Sequence, residues 1–360
     1  MIKQKRLTSC IAFLASSIAA SSAFAQSPVS NVSADVYGQI NHGLMVGDTG
    51  DGSEHYIVDN DNSATRAGVK LSGDLKEVDL TVGAHVELEY QQNASNLVDP
   101  DNRSIGGEFS ERHLNLFVSG GFGKLSLGQG DGAANGNVEV DLSGTKVVSY
   151  TNPALVGGAL EFVDDMGGGN VRLGAAMSDQ DFESRYDRLR YDLPGLGPVS
   201  AAISQGIKGN DDVTEVGARF SGELGGKVSA GLGYSTKDVG GATGDVETLG
   251  GSLSWLHESG VNLTGSYSTS QDDDSANPDS DFYLVKLGYK SGKHAFDVHF
   301  AEAKDRVQEG DSVETIGAGY VFSPIKWFSA YAGYNNHSLD RDGADFDDVS
   351  TVLVGGILKF

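Results

Sequence analysis

Charged residues in this chain stand in arrangements that could act on a solute. Arg66 and Lys70 fall on one side of an alternating segment, opposite Ala67, Val69 and Leu71. Arg188 and Arg190 alternate in the same way with Leu189 and Tyr191. A period of two puts such residues on one face of a β-strand. A long intervening stretch offers Asp131, Glu139 and Asp141, with Asp164 and Asp165 further on. Fixed charges lining the narrowest point of a passage select among ions. On an open surface the same residues would be no more than solvated charges, and the spacing leaves both readings standing.

Covalent chemistry finds little footing. Ser, His and Asp are plentiful, but there is no nucleophile elbow, no metal-binding His pair and no phosphate loop. The eight histidines are scattered over separate segments. Glu87 and Glu89 share a strand face, roughly 7 Å apart at the backbone, a spacing common on any wet strand. Asp59-Asn60-Asp61-Asn62-Ser63 and Asp272-Asp273-Asp274 supply hard oxygen ligands of the kind calcium uses. They lack the glycine and distal glutamate of an EF-hand loop and read as solvated external loops. No cofactor and no metal are expected.

The elements that would carry these residues are strands. From Val78 to Tyr90, Val78, Leu80, Val82, Ala84, Val86, Leu88 and Tyr90 take one face and Asp79, Thr81, Gly83, His85, Glu87 and Glu89 the other. That is longer than the five or six residues usual in globular strands. His294–Ala303 and Lys227–Ser235 repeat the scheme. In the second half, tight turns at Gly195-Leu196-Gly197, Gly225-Gly226, Ser259-Gly260, Ser291-Gly292 and Ser323-Pro324 recur about every 32 residues. Acidic, polar segments lie between them: 209–212, 237–245, 271–280, 305–311 and 337–347. Long loops at one end and short turns at the other are the rhythm of an outer-membrane barrel.

Sixteen strands are expected, near 34–46, 64–73, 78–90, 109–119, 123–130, 185–193, 198–206, 213–223, 227–236, 246–257, 261–271, 281–290, 294–304, 312–322, 327–336 and 348–360. The stretch 131–184 is too long for a structureless loop without a role. It either supplies two further wall strands, at 158–164 and 170–177, for a total of eighteen, or folds into the barrel as a constriction.

The two ends support a membrane barrel. Lys3, Lys5 and Arg6 precede a mostly apolar run from Leu7 to Ala20, and Ala23-Phe24-Ala25 fits a signal-peptidase site, so residues 1–25 read as an export signal cleaved after Ala25. Cys10 leaves with it, and the exported chain has no cysteine. At the other end Val352, Val354, Gly356, Leu358 and Phe360 form one strand face on which the chain stops. Soluble termini usually fray, whereas a last strand that closes a barrel can end on an aromatic at the lipid interface.

Composition agrees. The formal charge is −24 and becomes −27 once the three basic residues of the signal are removed. No basic stripe exists to neutralise phosphates, which excludes a nucleic-acid binder. The hydrophobic fraction of 39% is low and 50 glycines is high. A water-filled barrel accounts for both, since half of each strand faces water. The regular alternation, with 15 Phe and 13 Tyr, excludes a disordered chain.

Several segments resemble the general diffusion porins of Gram-negative bacteria. They are Asp35-Val36-Tyr37-Gly38-Gln39-Ile40, Ala64-Thr65-Arg66-Ala67-Gly68-Val69-Lys70, Glu111-Arg112-His113, Gly121-Phe122-Gly123-Lys124-Leu125-Ser126-Leu127-Gly128-Gln129, and Ser184-Arg185-Tyr186-Asp187-Arg188-Leu189-Arg190-Tyr191-Asp192-Leu193-Pro194. The resemblance runs over the whole exported chain, and these segments, in this order, carry it. The resemblance implies an all-β fold, a 16-stranded antiparallel transmembrane β-barrel that assembles as a homotrimer. It also implies a third loop, here 131–184, folded inward to narrow the pore, which favours sixteen strands over eighteen. Acidic groups on that loop would face basic groups on the wall, giving Glu139, Asp141 and Asp131 against Arg66, Lys70, Arg188 and Arg190. The same likeness would put Arg112 on the lumen wall, yet its own alternation groups it with Leu114, Leu116 and Val118, so a place at the rim is open.

The reading that follows is a passive outer-membrane channel for ions and small hydrophilic solutes, modestly cation-selective, with Phe360 serving membrane assembly. Its partners would be outer-membrane lipids and lipopolysaccharide, the solutes themselves and two further copies of the chain. The alternatives are a substrate-specific channel for a sugar or oligomer, an outer-membrane hydrolase and a secreted β-protein. The aromatics Tyr234, Trp255, Tyr267, Tyr283 and Tyr289 share faces with aliphatic residues, as lipid girdles do, rather than forming a ladder along a lumen.

Overall fold

The computed structural model describes residues 29–239, 244–274 and 277–360; the export signal and its cleavage site lie outside the described residues. The chain is built almost wholly from strands. In order they are β1 (Val29–Asp48), β2 (Ser53–Asp59), β3 (Arg66–Leu75), β4 (Leu80–Gln91), β5 (Glu108–Gly120), β6 (Gly123–Asp131), β7 (Glu161–Phe162), β8 (Val171–Arg172), β9 (Arg185–Asp192), β10 (Val199–Lys208), β11 (Asp211–Glu223), β12 (Gly226–Val239), β13 (Gly244–His257), β14 (Val261–Asp272), β15 (Ser280–Ser291), β16 (His294–Lys304), β17 (Ser312–Ile325), β18 (Phe328–Asp340) and β19 (Val349–Lys359).

Each wall strand pairs antiparallel with the next, and β6 pairs with β9 across the long segment between them. The ring closes where β19 pairs with β1, from Gln39 opposite Lys359 to Asp48 opposite Ser350. Gly38 and Phe360 exchange both backbone hydrogen bonds, at 2.9 and 3.0 Å, so the final residue completes the seam. β2 and β3 occupy a single position in the wall, β2 against His42–Asp48 of β1 and β3 against Val29–Gln39. The wall therefore has sixteen strands, each expected from the alternation; β2 is an addition that the sequence reading missed. The eighteen-strand alternative is overturned, because β7 and β8 pair only with each other.

The faces are inverted relative to a water-soluble protein. Val36, Ile40 and Leu44 of β1, Leu114 and Leu116 of β5, Leu287 of β15 and Val354 of β19 point outward and are exposed. The alternate positions hold buried Ser, Thr, Asn, His and charged residues, among them Ser204, Ser252, Ser254, Thr264, Ser268 and Asn335. Apolar area in water costs about 25 cal/mol per Å², so this outer face must meet lipid. A closed ring leaves no unpaired strand edge there. Phe360, 63% exposed, lies on the outward face with Val354 and Leu358.

Turns of two to six residues close one end, such as 121–122, 224–225 and 292–293; the other end carries the longer loops. Two of the acidic segments expected there are shorter than anticipated. Asp211 and Asp212 already belong to β11 after a two-residue turn, and β12 runs on to Val239.

Residues 132–184 pack on the buried side of the wall. Ala133 N donates to Ser204 Oγ at 2.8 Å, Val140 N to Ser252 Oγ at 2.9 Å and Leu142 N to Ser254 Oγ at 2.9 Å. In return Ser266 Oγ donates to the Val138 carbonyl and Ser268 Oγ to that of Asp179, both at 2.7 Å. Hydroxyls at every second wall position thus satisfy the backbone of a segment with little secondary structure of its own. Leu160, Phe162, Leu173 and Met177 add an apolar cluster against Phe282, Leu284 and Ala301.

Candidate functional site

The site begins with a fault in the register of β4 and β5. Glu87 stands opposite His113, and Leu88 opposite Glu111, so Arg112 is an extra residue in β5. A β-bulge of this kind turns consecutive side chains toward one face. Arg112 and His113 accordingly both face inward, while Leu114 and Leu116 keep their outward places. This corrects the rim position suggested by strict alternation. Arg112 Nε donates to Glu87 Oε1 and its Nη1 to Glu89 Oε2, each at 2.6 Å. Arg66 Nε lies 3.7 Å from Glu87 Oε2. Tyr37 O–H donates to that same oxygen at 2.7 Å, and the His85 and His113 rings stack at 4.2 Å. The result is a rigid wall whose carboxylates each serve a guanidinium.

The long segment presents the opposite sign. Glu139 accepts from Tyr150 O–H at 2.6 Å and from Lys146 Nζ at 3.4 Å. Asp181 accepts from the backbone N–H groups of Gly136 and Val138. Burial, then the nearby Glu139 charge, push the Asp181 carboxyl up to about 8. The same causes raise Asp179, whose Oδ2 has no hydrogen-bond partner. Burial and Glu139 together also hold the Tyr150 phenol well above its ordinary range. Between the two sides lies a cavity of about 710 Å³, lined by Arg66, Arg112 and Arg185 on the wall and by Glu139, Asp179 and Asp181 on the segment.

The residues singled out from sequence divide among different places. Asp131 lines the cavity; its carboxylate is 3.7 Å from Arg185 and 3.9 Å from His113. Glu139 and Arg66 line it too. Asp141 does not: it is buried against Lys286 of β15, Oδ2 to Nζ at 2.8 Å, with the two side chains 2% and 1% exposed. Burial opposes the Asp141 charge, but Lys286 outweighs it and holds the carboxyl below its usual range. Lys286 also donates to the Ser149 carbonyl, so it ties the segment to the wall at two points. Arg188 spends its donors on the carbonyls of Asp131 (3.0 Å) and Gly128 (2.6 Å). Arg190 binds the Gly132 carbonyl and Asp192, both at 2.7 Å. Lys70 sits below, over the Tyr37 ring at 5.2 Å. Asp164 lies in the β7–β8 hairpin, bridged to Phe346 outside the cavity. Sequence reasoning missed Lys146, Tyr150, Asp179, Asp181 and Arg185; the pair Asp179 and Asp181 flanking Gln180 was the available signal.

A closed antiparallel ring with a lipid-facing exterior and a charged, water-accessible interior defines a transmembrane β-barrel channel. The profile of the Gram-negative porins matches residues 10–342, and the chain belongs to that family. Its fold is similar to that of the anion-selective porin from Comamonas acidovorans, at 17% identity and a TM-score of 0.65 over 92% of this chain and 100% of that one. It is also similar to outer-membrane expressed OmpT of Vibrio cholerae (17%, TM-score 0.60, 91% and 98%) and to a mutant porin of Rh. blastica (14%, 0.57, 91% and 100%). At these identities the likeness is one of fold. No match is found among curated proteins. As a Gram-negative porin the protein is an outer-membrane channel.

Proposed function

We propose that the protein is a general diffusion channel, passive and non-enzymatic, for ions and small hydrophilic solutes. Its signal is removed after Ala25 and it works as a homotrimer among outer-membrane lipids and lipopolysaccharide. A trimer form of Vibrio cholerae OmpT supports the assembly by analogy. The observation that carries the reading is a polar cavity with opposed charges inside a closed barrel. Residues 132–184 form the constriction, with Glu139 and Asp131 facing Arg66 and Arg112. Arg188 and Arg190 brace the start of this segment, and Asp141 anchors it.

Modest cation preference follows from the loop end. Asp48, Asp51, Glu54, Asp211, Asp245, Asp272, Asp340, Asp345 and Asp347 crowd that mouth and raise the local cation concentration. The wall arginines oppose them, so selectivity stays weak and fades as salt shortens the screening length, about 10 Å at 0.1 M. Reversal potentials of single channels under a salt gradient test this. A cation-directed shift that shrinks with salt is expected, and anion preference at all salts refutes it.

A further inference from the structure

The lipid-facing side of β15–β18 has a shape of its own near the turn end. Across the β17–β18 register Ala318 stands opposite Tyr334, and Tyr320 opposite Ala332. Small residues thus lie beside large ones on the outward face, and the wall is hollowed between them. The hollow is a groove of about 810 Å³, lined by Leu287, Tyr289, Phe296, Val298, Tyr320 and Tyr334. Asp297 reaches it only through its backbone, because its fully buried side chain turns inward to His299, Oδ1 to Nδ1 at 2.8 Å. On the turn side the groove ends on a stack of rings. His294 lies 5.0 Å from Phe322 and 6.0 Å from Tyr320, and its Nδ1 is 2.9 Å from the Tyr320 hydroxyl oxygen. Amphipathic rings of this kind sit at the level of the lipid headgroups.

Charge marks the same place. In a chain of net charge −24, the segments 287–296, 320–330 and 356–360 contain Lys290, Lys293, Lys326 and Lys359 and no acidic residue. Lys293 and Lys326 occupy the turns 292–293 and 326–327 and are exposed. Ser323 N donates to the Lys293 carbonyl at 2.8 Å, which sets the two turns side by side. Neither lysine has a carboxylate within 4 Å among the described residues. Lys293 lies three residues beyond Phe296, roughly 10 Å along the strand. An apolar groove therefore runs toward a pair of uncompensated ammonium groups at headgroup depth.

We propose that this face holds one anionic phospholipid, with an acyl chain in the Ala318–Ala332 groove and its phosphate at Lys293 and Lys326. The groove has room for roughly twenty-seven groups of about 30 Å³, the share of a water and close to that of a methylene. A chain lying in it touches the wall on more sides than one lying on a flat strand surface, and gains dispersion contacts accordingly. Each lysine near the membrane surface favours an anionic headgroup over a zwitterionic one by about fivefold. The occupant is argued from that charge complementarity. A second copy of the chain seated here would instead bury both ammonium groups at a cost. The proposal rests on the membrane placement of the barrel and names one lipid class for one stretch of its surface.

The chain has two tryptophans, Trp255 and Trp327, and Trp327 follows Lys326 in the same turn. In Trp255→Phe protein, Trp327 alone reports on the site. The variant is reconstituted in phosphatidylcholine vesicles containing either brominated phosphatidylglycerol or brominated phosphatidylcholine. Half-quenching of Trp327 is expected at a mole fraction of the anionic lipid about fivefold lower for each lysine engaged. Lys293→Gln and Lys326→Gln should each remove about fivefold of the difference, and the double variant should make the two curves coincide. In Trp327→Phe protein, Trp255, beside Glu258 on β13, should not distinguish the lipids. Equal quenching of Trp327 by both lipids, or a preference that survives in the double variant, overturns the proposal. Trp327 that neither lipid quenches also overturns it, since the face is then covered by something else. Ion flux into the same vesicles reports insertion. Protein that carries no flux fails at the membrane-channel reading, so the two failures are distinct.

Discussion

Replacing Asp141 by Asn should detach the long segment rather than retune the pore. Asp141 and Lys286 are both almost fully buried, 2.8 Å apart, and the lysine also holds the Ser149 carbonyl. Removing one partner of a buried ion pair costs about 3–5 kcal/mol, because the other charge is left without compensation. In Asp141→Asn the Lys286 ammonium still feels Asp297, which lies close enough to be stabilised by it. The cost should therefore sit near the lower limit, about 3 kcal/mol. At 1.36 kcal/mol per decade this lowers the docked-to-undocked ratio by roughly a hundredfold. Lys286→Met leaves the buried Asp141 carboxylate without its cation, while Asp297 keeps its His299 bond, and should be worse. The double variant Asp141→Asn/Lys286→Met removes both charges of the pair and should recover part of the loss.

Single-channel current reports the segment and heat-modifiable mobility reports the barrel. The expected order of current noise and brief closures is Lys286→Met above Asp141→Asn, with the double variant below Lys286→Met. The barrel should stay assembled in all three, since no wall hydrogen bond is touched. Wild-type traces from Asp141→Asn, or a double variant noisier than both singles, would refute the anchor argument.

Glu139→Gln should lower cation preference measurably in reversal-potential recordings with unchanged mobility, because Glu139 lines the cavity and its loss leaves no buried cation alone. Cation preference should rise as pH increases from about 7 to 9. Asp181, raised to about 8, is mostly protonated and neutral below that value and adds a negative charge to the cavity above it; a flat pH profile in that window contradicts the assignment. Phe360→Ser should reduce the yield of assembled barrel without altering the conductance of those channels that form. Its ring covers Gly38, where an added Cβ would lie 2.5 Å from Cζ, so Gly38→Val should show the same defect. Deleting residues 163–170, the tip of the β7–β8 hairpin, should leave a heat-modifiable barrel, since the hairpin pairs with no wall strand.

The wall was legible because one rule governs it. A strand between lipid and water must alternate, and all sixteen alternations appear in the sequence. The rule fails where geometry departs from strict period two. Arg112 is the clearest case: the bulge opposite Glu87 shifts the parity of β5 by one, and nothing in the order of residues 108–120 marks the extra position. β2 was missed because it shares a wall position with β3 and adds no strand to the count. The long segment hid most of its chemistry for another reason. Its contacts are with Ser and Lys side chains far away in sequence, more than a hundred residues for Ser252 and Lys286, and no local pattern encodes a partner chosen at that range. Asp141 and Glu139 look equivalent in sequence, two apart and both acidic. One is buried against Lys286, and the other is held at the cavity by Tyr150.

Net charge is an equally poor guide to the lumen. A value of −27 for the exported chain describes where most carboxylates are, and they are at the loop-end mouth. Steering acts on a solute before it enters and is screened within about 10 Å at 0.1 M salt. Deeper in the pore the governing charges are those without a partner, because a salt-bridged pair presents little net field beyond its own length. By that measure the wall beside the cavity is close to neutral, Arg66 and Arg112 sharing Glu87 and Glu89 and Arg185 facing Asp131, while Lys124, Arg219, Lys227 and Lys290 on the turn side have no carboxylate within 4 Å among the described residues. On the proposed reading, ion preference in such a pore would be set by two opposed regions in series. It should therefore depend on which side holds the dilute solution, where screening is weakest. An acidic protein can in this way carry a basic passage.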